Sequence, residues 1–270
     1  MLAALTSVLI TGCSGGQGLT SPPDSASCGT CHPTQYAAWS ESAHARSGRS
    51  DAFIERLPEV EATLGSDAVA RCIGCHQPDH APEHTIAYVS CHGSVGNIET
   101  RDRLLRVDLT VRLAGVLPGV GNTEAHGTLA STWLRSSELC GTCHEVTGPG
   151  PFVEPTFSEF QTSPAAAAGK VCVDCHDPHR LRIDEAFVAA AVTSTLVEGR
   201  LTVVNTGAGH SIPTGATFAR DVWIEVAGVR VMTLEPPLAA GQARSALVPR
   251  KGDGLFREGD VAVRYARVAP

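Results

Sequence analysis

Apolar and polar residues follow one rhythm in the first two thirds of this chain and another in the last third. Residues 33–44 read as a helix, with Pro33 in the first turn and Tyr36 and Trp39 three apart on one face. Residues 53–69 also have a helical period, and residues 128–139 predict a further helix leading to Cys140. Between them, residues 100–121 are rich in Arg, Leu and Val and predict a helix or strand followed by a Pro/Gly turn. From about Thr195 the period changes to two. Residues 201–204, 222–226, 229–234 and 261–268 read as strands, with Ala227-Gly228 as a tight hairpin turn. Residues 207–215 form a turn-rich loop between the first two strands and carry His210. The expected class is α+β: a loosely packed, mainly helical domain over 28–194, then a small antiparallel, sandwich-like β domain over 195–270.

The start of the chain predicts processing. Residues 1–12 are apolar and lead into Ile10-Thr11-Gly12-Cys13, which has the form of a bacterial lipobox with Cys13 as the lipidated residue. The stretch is too short for a membrane-spanning helix and lacks a basic n-region, so an unrelated apolar start is the alternative. Residues 1–13 are read as a lipoprotein-type signal segment and residues 14–27, rich in Gly, Ser and Pro, as a flexible linker.

Cysteine changes this picture most. All 10 Cys of the 270-residue chain lie before residue 176. Eight of them form four C-x-x-C-H motifs: Cys28, Cys31 and His32; Cys72, Cys75 and His76; Cys140, Cys143 and His144; Cys172, Cys175 and His176. Two thiols at this spacing can add across the two vinyl groups of one haem, and the adjacent imidazole then meets its iron. A zinc site or a redox dithiol has no need of the His, and a secreted chain rich in Cys is otherwise read as disulfide-bonded. The fourfold repeat with His favours haem c. Covalent haem would then organise the helical domain, whose apolar pattern is too sparse for an ordinary core.

A fifth motif is incomplete. Tyr88-Val-Ser-Cys91-His92 has Tyr in place of the first Cys. It reads either as a haem held by one thioether through Cys91, with His92 as ligand, or as a relic whose His92 serves another haem. The His inventory permits the former, since five proximal and five distal ligands use ten of the 11 His.

Met occurs only at Met1 and Met232, so the sixth ligands are expected to be His. The candidates outside the motifs are His44, His80, His84, His126, His179 and His210. His179 follows its nearest motif so closely that it has little reach to the opposite face of that haem. The net charge of −7 argues against nucleic acid as a partner.

The order of these features resembles the multihaem c-type cytochromes of the cytochrome c-554-like family. The resemblance rests on Cys28 to His32 with Trp39 and Ser42-Ala43-His44-Ala45, on Cys91-His92-Gly93, on Leu139 to His144 with Pro155 to Glu159, and on Gly209 to Gly215 with Arg220 and Trp223. It implies haems packed close together and a β-rich part that lends a ligand, with His44, His126 and His210 as distal ligands. Tyr88 departs from the family pattern, as does the absence of a His shortly after His92.

The expected function is electron transfer by an exported protein, periplasmic or on the cell surface. A lipid anchor would hold it to the outer membrane, and four or five bis-His, low-potential haems would pass electrons between redox partner proteins. Two alternatives stand beside it. One is a reductase of nitrogen or sulfur oxyanions with a five-coordinate haem, although neither Lys170 nor Lys251 forms a C-x-x-C-K. The other is a homo-oligomer or haem filament with His ligation between subunits.

Overall fold

The computed structural model describes residues 24–78, 85–97, 105–107, 113–115, 126–146, 153–181, 183–215, 220–248 and 258–267. Cys13, His80, His84 and most of the Arg-rich stretch 100–121 lie outside them. The chain contains helices and antiparallel sheets, as an α+β chain should.

The helices of the first part are short because their sequences supply caps and breaks at close intervals. Helix α1 (Ser25–Gly29) begins inside the stretch read as a linker, where the Asp24 side chain accepts the Ser27 amide at 2.7 Å. Helix α2 (Pro33–Ser40) starts on its proline, as the sequence predicts, and buries Trp39, whose Nε1–H donates to the Ile86 carbonyl at 3.0 Å. The helical period over 53–69 is divided among α3 (Asp51–Ile54), α4 (Leu57–Leu64) and α5 (Ser66–His76). Pro58 fixes the first turn of α4, and Gly65, at φ +84°, breaks the chain before α5. A one-turn helix, α6 (Tyr88–His92), carries the incomplete motif.

Short strands follow: β1 (Ser94–Asn97) pairs antiparallel with β2 (Leu105–Val107), and β3 (Leu113–Gly115) pairs parallel with β4 (Thr128–Ala130). The single helix expected over 128–139 is therefore corrected. Its residues form β4, a 3₁₀ turn at Trp133–Arg135, and the first part of α7 (Ser137–Gly141). Ser136, extended at ψ 147°, accepts the Leu139 amide and starts a new helix instead of continuing one. Helices α8 (Thr156–Gln161), α9 (Pro164–Ala167) and α10 (Glu185–Ala190) complete this part.

The last part holds two three-stranded antiparallel sheets. One has the order β5-β6-β9, formed by Val192–Val197, Arg200–Asn205 and Ala243–Leu247. The other has the order β10-β7-β8, formed by Val261–Arg267, Arg220–Val226 and Val229–Thr233. Strands β7, β8 and β10 follow the expected pattern, and Ala227-Gly228 makes the hairpin turn. One buried apolar cluster takes side chains from both sheets, among them Leu196, Leu201 and Val203 from the first and Val222, Ile224 and Val226 from the second. Met232 belongs to it, which removes that thioether from any haem.

The contrast with the first part is sharp. There, among the described residues, buried apolar side chains such as Trp39, Val60 and Phe157 are scattered, and the one cluster is the pair Ala87 and Val89. Something other than mutual apolar packing must fill that part.

Candidate haem sites

Each cysteine motif folds into one helical turn. At three of the complete motifs the His amide donates to the carbonyl of the first Cys at 2.9 Å: His32 to Cys28, His144 to Cys140 and His176 to Cys172. The second motif forms the last turns of α5, and the incomplete one forms α6. Both thiols and the imidazole thus leave one short arc of backbone. No disulfide joins the nine described cysteines, and no cluster of three or more His, Cys, Asp and Glu placed for a metal ion occurs among the described residues.

Aromatic packing supports the two identical motifs in the same way. A Cβ on Gly29 would lie 2.6 Å from the Tyr36 ring, and one on Gly141 would lie 2.7 Å from the Phe157 ring. The second position of Cys-Gly-Thr-Cys-His is glycine because an aromatic ring covers it.

The motifs are also joined in twos by one repeated hydrogen bond. Buried Ser25, three residues before Cys28, accepts the backbone amide of Tyr88 at 3.3 Å. Buried Ser137, three residues before Cys140, accepts the backbone amide of Cys172 at 3.1 Å. Tyr88 therefore stands to the first motif as Cys172 stands to the fourth. Tyr88-Val-Ser-Cys91-His92 takes the place of Cys172-Val-Asp-Cys175-His176.

Residues far apart in sequence bring imidazoles together in pairs. Ring centres lie 6.3 Å apart for His32 and His126, 6.2 Å for His92 and His179, and 6.2 Å for His176 and His210. With a metal about 2.0 Å from each coordinating nitrogen, and each nitrogen about 1.1 Å from its ring centre, two trans imidazoles stand about 6.2 Å apart. The three pairs have the separation that one iron between them requires.

In four of the histidines the other ring nitrogen is engaged as a ligand's should be. Nδ1 of His44 faces the Pro178 carbonyl at 3.3 Å, His76 that of Ser47 at 2.8 Å, His126 that of Gly127 at 3.0 Å and His210 that of Ser211 at 2.9 Å. Such contacts fix the ring and its tautomer and turn Nε2 towards the metal. Burial, with His144 next in weight, pulls the His44 pKa down to about 4, and burial lowers those of His76 and His176 as well. Neutral imidazole is the form that binds iron.

His210 reaches its place from the β part. Buried Asn205, at the end of β6, donates through Nδ2 to the carbonyls of His210 and Leu238 at 2.8 and 3.0 Å. Glu159 of α8 accepts the Ser211 amide at 3.0 Å and the Thr214 hydroxyl at 2.7 Å. The loop is thereby pinned to the helical part.

Two buried polar atoms have no partner among the described residues: the Tyr88 hydroxyl and Nδ1 of His176. Tyr88 lies 6.0 Å from each ring of the His92–His179 pair and 5.4 Å from Trp39. Burial raises its pKa to about 12, so it is a phenol at neutral pH. Orphans of this kind belong beside a group the polypeptide does not supply. Residues 27–95, which contain three of the motifs, match the family model described as cytochrome c554 and c-prime.

Over that segment the chain is similar to c-type cytochromes.

Haem c is accordingly the cofactor that these motifs fit. The motifs at 140–144 and 172–176 lie beyond the matched segment. No curated protein and no solved structure gives a significant match. No described helix is long and apolar enough to cross a membrane.

The C-x-x-C-H motifs were visible in the sequence, but the pairing of their histidines was not. His179 faces His92 and not the motif just before it; its position three residues after His176 carries no sign of that. His44 lies near His144 and His179 in electrostatic contact. The Ser25 and Ser137 bonds were missed too. Their signal is a Ser three residues before Cys-Gly-Thr-Cys-His, visible only when the two motifs are aligned.

Proposed function

We propose that this chain is an exported electron carrier with five haem c groups, four held by two thioethers and one by Cys91 alone. The observation that carries the fifth site is the 6.2 Å separation of His92 and His179, equal to that of His176 and His210 beside a complete motif. His32 with His126, His92 with His179 and His176 with His210 would each hold one haem iron, and His44 would serve with His144. His80 and His84 are the candidates to face His76. The haems supply one-electron iron chemistry at low potential, which bis-His ligation favours. The polypeptide fixes the ligands, shields them from water and orders the sites in space.

Contacts between motifs support a continuous path. The Cys140 sulfur lies beside that of Cys172 and the Cys75 sulfur beside that of Cys143, while Cys91 lies near Cys140 and Tyr88 near Cys28. All five motifs are thereby linked through neighbouring attachment residues. The β part, read as a sandwich-like unit, lends His210. Attachment of haem c outside the cytoplasm and the Cys13 lipobox support a lipid-anchored protein at the outer membrane, exchanging electrons with redox proteins on either side.

Electron paramagnetic resonance of the ferric protein tests the assignment. Low-spin signals from every haem are expected of a carrier. A high-spin ferric haem in the resting protein would instead support a catalytic site with an open coordination position.

A further inference from the structure

The histidines of this chain do not all have the same support. His44, His76, His126 and His210 turn Nδ1 to backbone carbonyls. His144 turns Nδ1 to a carboxylate, Glu154 Oε1, at 3.3 Å. A two-way backbone bridge between Val146 and Glu154, at 2.8 and 3.0 Å, returns the chain to the motif and sets this contact.

The carboxylate is built in from several sides. The Thr156 hydroxyl donates to Oε1 and lies 2.8 Å from the Thr214 hydroxyl, which in turn donates to Glu159. Oε2 and Arg220 Nη1 both crowd the space beside Gly215, whose φ of +75° and lack of a side chain admit them. Arg220 also donates to the Thr214 carbonyl. Thr214, Gly215 and Arg220 flank the same β-part segment that delivers His210. Glu154 is thus clamped between the fourth motif and the β part.

Resting on the haem assignment above, we propose that Glu154 is a potential-setting residue. Its carboxylate strengthens His144 as a donor to iron and makes the haem at Cys140 and Cys143 more negative in potential than those at Cys28–Cys31, Cys72–Cys75 and Cys172–Cys175. An anionic acceptor draws the Nδ1 proton more strongly than a carbonyl does, which leaves more electron density at Nε2 and favours ferric over ferrous iron. The latter three sites each have a ligand, His126, His76 or His210, backed by a carbonyl. The β part would then control the electron affinity of a haem to which it gives no ligand, because Thr214 and Arg220 hold the carboxylate in place.

The test is spectropotentiometry of the holoprotein in wild-type and Glu154→Gln forms, with haem count by intact mass on the same samples. Glutamine keeps the shape and an acceptor oxygen but removes the charge. With the haem count unchanged, one wave, that of the haem at Cys140 and Cys143, is expected to move positive by about tenfold in ferric-to-ferrous ratio, or 59 mV for one electron, while the other waves stay. Its low-spin g-values are expected to shift with it. Thr156→Val, which leaves the charge but loosens its clamp, is expected to move the same wave less. An unmoved set of waves at full haem count overturns the role of Glu154. Absence of haem from Cys140 and Cys143 in the wild-type protein overturns the haem assignment instead.

Discussion

His179 stands 6.2 Å from His92, although 87 positions separate them in sequence and only three separate His179 from His176. A His179→Ala variant is therefore expected to disturb the haem at Cys91 and leave that at Cys172 and Cys175 intact. One haem should change from low-spin to high-spin in the ferric spectrum, with the haem count unchanged. Loss of the low-spin signal of the Cys172 haem would reassign the ligand.

Tyr88 occupies the place that Cys172 holds in the equivalent segment. Tyr88→Cys creates a complete Cys-Val-Ser-Cys-His and is expected to convert the single-thioether haem to one with two. The reduced pyridine haemochrome should then lose its shifted component while intact mass reports the same number of haems. Tyr88→Phe should retain that component.

The serine hydroxyls that join the motifs are buried, with Ser25 1% and Ser137 7% exposed. Replacing either by Ala leaves a backbone amide without its partner, at a cost of about 1–3 kcal/mol. Chemical denaturation of Ser137→Ala, followed by the haem absorbance, should show a lower midpoint with little change in slope. A stability equal to wild type would mean that the bond to the Cys172 amide contributes nothing.

The β part should show a modest acid dependence of its own. The Glu225 carboxylate accepts from Trp223 Nε1–H and from Arg264 Nε, both at 2.9 Å, and these bonds lower its pKa below the ordinary 4.5. A depressed folded-state pKa gives stability that is present above 4.5 and lost as the pH falls through the lower folded value. Exposure to water keeps the effect small. Denaturation midpoints of wild type and Glu225→Gln should therefore converge as the pH falls below 4.5. A constant difference across that range would contradict the linkage.

The C-x-x-C-H motifs were legible because they are fixed residues at a fixed local spacing. Strands β7 and β8 were legible for a similar reason, as alternating branched residues on either side of Ala227-Gly228. Strands β5 and β9 were not. Val-Thr-Ser-Thr-Leu-Val and Ala-Arg-Ser-Ala-Leu offer few large apolar side chains, and pairing with β6 makes them strands. The break of 128–139 turned on Ser136, whose hydroxyl caps a helix where the pattern alone would continue one. Ligand pairing was illegible on principle: His126, His179 and His210 acquire partners only when loops from three regions converge, and no local period records that.

The number of haems and the bonds that hold them distinguish a five-haem carrier from a four-haem one. Intact mass of the mature protein with its reduced pyridine haemochrome measures both. Five haems, with one spectral component shifted as a single thioether requires, is the predicted result. Four haems with no shifted component would contradict it: the Tyr88 segment would then be a relic, and the His92–His179 pair would hold no iron.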